Sequence, residues 1–301
     1  MGRLRSVGSL LKQTGQDYLE DKVPRLAAAL AYYALFALAP LLLILIAVAG
    51  LVFGADTVRD SISGQAASVL GADSAEFIDS MVANAGSGKG GTTAAVFGTI
   101  ALIFGAGGVF VQLQDALNTV WEVKPKPGLP IVERIRNRLT TYAFVMAVAF
   151  LLLVSLAVSA ALSSLSKWND ALNGPDWVWL VVDWVVSLGV LALVFAVMFK
   201  ALPDAKVKWR DVWVGAFATA ALFSVGKVLL GLYLGRPAAA ATFGAASALV
   251  LVILWVYYCA QLVLLGAEFT QSYAHWRGRA IQPDEDAVPV TQEARAQQGM
   301  D

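Results

Sequence analysis

Most of what ordinarily marks an enzyme is scarce in this chain. Of 301 residues one is cysteine, Cys259, and one is histidine, His275. A lone thiol inside an apolar run has no disulfide partner and no second ligand for metal or redox chemistry, which leaves it packing. One imidazole, with no Asp/Glu cluster in a soluble segment, supplies neither a metal site nor a His-centred acid–base pair. Charge is thin as well, at 15% of residues with a formal net charge of zero, against roughly 25% in soluble domains. The first 25 residues are polar and basic, and the first apolar run is longer than a signal peptide's, so that run is expected to stay in place as an anchor. The stretch Gly86–Thr93 looks like a phosphate loop, yet the places where a Walker A motif needs Gly and Ser/Thr hold Ala83 and Gly90. No ATPase of its own and no cofactor are expected.

What the chain has instead is apolar length. It is 58% hydrophobic with mean hydropathy +0.67, so lipid must replace water around much of its surface. Six stretches, Leu26–Phe53, Thr92–Val120, Leu139–Leu162, Trp177–Ala201, Val212–Leu234 and Phe243–Tyr273, each reach the roughly 20 residues that a bilayer crossing needs. The basic residues switch sides with each crossing. Arg3, Arg5, Lys12, Lys22 and Arg25 precede the first span, Lys124, Lys126, Arg134, Arg136 and Arg138 follow the second, Lys200, Lys206, Lys208 and Arg210 follow the fourth, and Arg277, Arg279 and Arg295 follow the sixth. The alternate loops hold only Arg59, Lys89, Lys167 and Arg236. By the positive-inside rule both termini are cytoplasmic. The expected fold is therefore an all-α, six-span, multi-pass bundle of the plasma membrane: an amphipathic helix over 1–25, the membrane domain over 26–276 and a polar, disordered tail over 277–301. Val58, Ile62, Val69, Leu70, Phe77 and Ile78 recur at helical spacing in the loop after the first span, which predicts two short amphipathic helices there.

Polar residues inside apolar spans carry the functional signal, because a charge at a span centre costs about 2.5–3.5 kcal/mol unless paired or hydrated. Asp183 and Lys227 share a depth on antiparallel spans and form a candidate intramembrane ion pair, as a structural tie or as a gate. A second group gathers near the cytoplasmic ends: Arg25 and Tyr32 on span one, Asp115 on span two, and Tyr257, Gln261 and Glu268 on span six. Tyr257 and Gln261 lie four apart, and Gln261 and Glu268 seven apart, so they share a helix face. They are a candidate substrate pathway, although snorkelling at the interface also accounts for Arg25 and Glu268. Pro40 removes a backbone bond in mid-span and is expected to kink that helix. Asp17, Asp21 and Arg25 form an i,i+4 stripe on the N-terminal helix, usually a solvated face. Gly98, Gly105, Gly107, Gly108, Gly231 and Gly235 point to close helix packing.

The stretches Arg25–Tyr33 and Ala39–Leu42, with Phe243–Ser247, Trp255–Gln261 and Leu265–Phe269, resemble the two ends of the YihY/virulence factor BrkB family, and the similarity extends over about residues 10–280. One departure is Ala37-Leu38, where many members have Ser before Ala-Pro. The resemblance implies a six-helix bacterial inner-membrane protein. It brings no settled activity, since members have been labelled ribonuclease BN, linked to serum resistance, and connected to movement of lipids or solutes. With no soluble domain to cradle RNA, the expected function is a non-enzymatic transporter or flippase-like translocator of a lipid or small solute. The alternative is a non-catalytic scaffold or assembly factor for the cell envelope, and a membrane ribonuclease ranks below both. Expected partners are membrane lipids and that substrate, with no nucleic acid; a homo-oligomer is left open.

Overall fold

A computed structural model describes residues 7–70, 76–80, 108–128, 176–234, 247–291, 293 and 295. They are mostly helical. The elements are α1 (Val7–Glu20), α2 (Val23–Phe53), α3 (Ala55–Leu70), α4 (108–120), β1 (Val123–Pro125), α5 (Asp176–Ala201), β2 (Ala205–Lys206), α6 (Trp209–Leu234), α7 (Ser247–Trp276), β3 (Gln282–Pro283) and β4 (Ala287–Pro289). Among the described residues, Trp184–Ala201, Trp209–Leu229 and Leu249–Trp276 are long and apolar enough to cross a membrane, and Val23–Leu38 is a shorter apolar helix. Large apolar side chains stand bare on these helices, Trp184, Phe217, Val225, Val228 and Leu229 among them. Such surfaces would drive aggregation in water and are solvated by lipid chains. The expected third span, 139–162, and most of the second lie outside the described residues.

Local chemistry sets the helix boundaries. The Asp21 N–H donates to Asp17 O at 2.9 Å as α1 ends, and Lys22 turns the chain with a left-handed φ of 52°. Pro24 then occupies the first turn of α2, where a missing N–H goes unused in any helix. α2 continues through Pro40 as one helix to Gly54, whose φ of 85° suits a residue without a Cβ and whose N–H closes on Gly50 O at 3.0 Å. α3 follows at once, and residues 76–80 form a further helical turn, in line with the amphipathic helices expected there.

Two compact units divide the chain: residues 22–116 with 223–264, and residues 1–21 with 117–222 and 265–301. In the first, Ile78, Leu251 and Val252 form a core joined by Leu38, Leu42, Ile62, Phe77, Trp255 and Val256, so the apolar face of the loop helices packs on α2 and α7. Arg59 Nε bonds Asp79 Oδ1 at 2.8 Å beside it. A Cβ at Gly226 would lie 2.7 Å from Tyr258 Oη and 2.8 Å from Leu262, which marks a close approach of α6 and α7.

The second unit is tied by its polar segments. β1 pairs antiparallel with β4, Val123 opposite Pro289, and β2 with β3, Ala205 opposite Pro283. Asn118 bonds Asp204 twice, giving its side-chain N–H to the carboxylate and accepting the Asp204 N–H, each at 2.8 Å. The tail expected to be disordered is thus folded over residues 279–291. Composition misleads here because the ordering comes from partner strands more than 70 residues away in sequence, and each short ladder satisfies backbone groups that the tail alone would leave to water. α6 and α7 meet in this unit through reciprocal small residues. A Cβ on Gly215 would overlap the Thr270 hydroxyl and lie 2.7 Å from Thr270 Cβ, and a Cβ on Gly266 would overlap the Thr219 hydroxyl and lie 2.8 Å from Thr219 Cβ. Each threonine turns its hydroxyl back to its own helix, Thr219 to Gly215 O at 2.7 Å and Thr270 to Gly266 O at 2.6 Å, so no donor is stranded in the contact.

Candidate functional site: a buried carboxylate cluster

Glu268 lies near the end of α7 and is fully buried. Among the described residues neither of its carboxyl oxygens has a partner at strict hydrogen-bond geometry. Asp21 stands within a looser reach, so what Glu268 meets is another buried acid, outside strict hydrogen-bond geometry. The acids near it come from α1 and the turn after it: Asp17 on the helix and Asp21, 2% exposed, just past its end. Arg295 answers them from the tail, its guanidinium forking to Asp21 Oδ1 at 2.6 Å and Glu122 Oε1 at 2.8 Å. Ser272, one turn beyond Glu268, donates to Asp17 Oδ2 at 2.8 Å. Trp121 Nε1, in the same unit, is a second buried group without a partner among the described residues. Among the described residues four acids thus face one arginine, with His275 also acting on Asp17.

The electrostatics follow from that ratio. Burial pushes the Asp21 carboxyl up to about 7; Arg295 pulls it down and is outweighed, since Glu122 and Asp17 act with burial and Glu122 shares the same guanidinium. Asp17 is raised too, again chiefly by burial, with the Ser272 bond opposing. The folded-state value of Asp21 lies above its unfolded one. Its contribution to stability is therefore complete below about pH 4 and is lost as pH rises through about 7. Thermal unfolding of the purified protein is expected to shift to lower temperature between about pH 5 and about pH 8, and Asp21→Asn to flatten that slope. An unchanged slope in the variant would remove Asp21 as its cause.

Of the expected pathway residues, Glu268 is at the centre of the cluster; within the other unit Arg25, Tyr32 and Asp115 are exposed and Tyr257 and Gln261 half-buried. Tyr32 stacks edge-on with Tyr33 and Phe36, at ring separations of 5.7 and 5.0 Å. The Asp17–Asp21–Arg25 stripe splits: Asp21 turns inward and Arg25 outward, because the left-handed Lys22 breaks the helix between them. Lys227 is exposed, and the side chain of Asp183, its expected partner, lies outside the described residues, as do the surroundings of Gly98, Gly105, Gly107, Gly231 and Gly235. Sequence reasoning missed Arg295 and Glu122. No periodic signal marks either one, since a single arginine in a polar tail reads as solvated. Among the described residues no group of three or more His, Cys, Asp or Glu side chains is arranged to hold a metal ion.

Apolar helices bare of polar cover, ending in a buried acid cluster, define an integral helical membrane protein. Residues 14–290 match the family described as Virulence factor BrkB, and the chain belongs to that family. It is 29% identical over 286 residues to a UPF0761 membrane protein of Rhodospirillum centenum, covering 93% of this chain and 61% of that relative. It is 28% identical to UPF0761 membrane proteins of Pseudomonas paraeruginosa, over 281 residues with 88% and 63% covered, and of Stenotrophomonas maltophilia, over 271 residues with 88% and 61% covered. The chain spans about three-fifths of the length of these relatives. No solved structure matches it.

Proposed function

We propose that the protein translocates an amphiphilic lipid or small solute across the bacterial inner membrane, as a six-span bundle with both termini cytoplasmic, without catalysis and without an ATPase of its own. The observation that carries this reading is Glu268. A bundle selected for stability alone gains little from a fully buried acid near the end of an apolar helix that meets another buried acid, Asp21, outside strict hydrogen-bond geometry, since burying it costs desolvation. Such groups in lipid most often mark a pathway or a coupling site. The orientation draws support from the second unit, since α1, the loops after α4 and α5 and the tail are the four segments that loop charge assigns to one side, and they are joined to one another. The scaffold reading rests on that same dense network. Flux separates the two. In proteoliposomes of matched protein content, Glu268→Gln is expected to assemble normally and to lose most lipid or solute flux; full flux in a well-folded variant would take Glu268 out of any pathway and favour the scaffold.

A further inference from the structure

A cavity of about 350 Å³ opens in the second unit, between Lys206–Asp211 and Ala274–Gln282. Its position is informative. The three apolar helices stop or start within a few residues of it, at Ala201, Trp209 and Trp276, so its lining lies where hydrocarbon gives way to headgroups. Trp209, 51% exposed, stands at that boundary. The volume falls at the small end of ligand pockets.

The lining itself carries three cations, Lys206, Lys208 and Arg279, and one carboxylate. Asp211 is its one carboxylate; it is 1% exposed and is held by Arg279 Nη1, which leaves the rest of that guanidinium fork for another acceptor. Lys208 is exposed and has no ion-pair partner among the described residues. Lys206 meets Asp284 at 3.4 Å and Glu285 at 3.6 Å, both well exposed, and ion pairs of that length and exposure yield readily to a better anion. Ala274 and Ile281 supply an apolar wall. We propose that this cavity binds a phosphate group, which at this depth is the headgroup of an anionic phospholipid, with Lys206, Lys208 and Arg279 as donors. The site is separate from the carboxylate cluster and stands whether or not Glu268 serves flux.

Native mass spectrometry of the full chain released from phosphatidylcholine nanodiscs doped with phosphatidylglycerol reads the binding directly. Phosphatidylglycerol is expected to be retained and phosphatidylcholine lost. Lys206→Gln with Lys208→Gln should weaken retention about tenfold, and Lys208→Gln alone, which breaks no ion pair, about threefold. Lys12→Gln with Lys124→Gln removes the same charge elsewhere and should leave retention within about twofold. Failure of added inorganic phosphate to displace the lipid identifies the lipid headgroup as the ligand; ready displacement identifies the phosphate group itself, from whatever source. Equal loss in both double variants would reduce the effect to diffuse surface charge, and retention unchanged in the Lys206/Lys208 variant would overturn the site.

Discussion

Gly215→Leu is expected to leave no folded protein, and Gly215→Ala to cost about 3 kcal/mol or more, the upper end for overpacking a tight contact. The reason is geometric. A Cβ at Gly215 meets both the hydroxyl and the backbone-proximal carbon of Thr270, so no rotamer change relieves it and the helices must part. Parting them also breaks the Gly266–Thr219 contact, because the two pairs lock the same pair of helices. Removing the obstructing side chain supplies the test: Gly215→Ala with Thr270→Gly should recover folded yield relative to Gly215→Ala alone, a non-additive result of the kind neighbouring sites give. Gly189 on α5 has nothing within 4 Å of its Cβ position among the described residues, so Gly189→Ala should be neutral or slightly stabilising. Monodisperse yield and thermal unfolding in detergent read all four. Additive behaviour of the pair would deny the close contact.

Arg295→Ala is the other substitution with a large expected effect. It removes the guanidinium from two carboxylates at once, and one of them, Asp21, is nearly fully buried. Breaking a buried pair by taking one partner costs about 3–5 kcal/mol, while the more exposed Glu122 adds little. The loss should depend on pH. Near pH 5 most of the Asp21 carboxyl is already protonated, and there is less charge for Arg295 to answer; above pH 7 the carboxylate is stranded. Unfolding temperatures of Arg295→Ala are therefore expected to converge on wild type in acid and diverge in base, and Asp21→Asn with Arg295→Ala to remove most of the divergence. A deficit independent of pH would assign Arg295 a packing role instead.

These two contacts show where sequence reading stops. Small-residue packing between helices was anticipated from other glycines, Gly98 to Gly108 and Gly231 with Gly235, because they cluster. Gly215 and Gly266 are isolated in sequence, and a glycine reveals a neighbour only once the neighbour's helix has been placed against it. The carboxylate cluster was half legible. Glu268 stands out as an acid in an apolar run, and Asp17 and Asp21 lie four apart on one face, yet the groups that meet them, Ser272 and Arg295, lie more than 250 residues away in sequence. Arg295 carried no mark at all.

Hydropathy and length by themselves determined that the chain is a helical membrane protein, and the stretches at its two ends were enough to identify its family, because lipid demands long apolar runs that no tertiary contact is needed to recognise. The partners of the buried acids, the reciprocal Gly–Thr contacts and the ordering of residues 279–291 on β1 and β2 were decided only by the tertiary structure. Each depends on groups 47 or more residues apart being brought together. Local pattern holds no record of which distant segment satisfies a buried polar group, since the same arginine is equally at home in water.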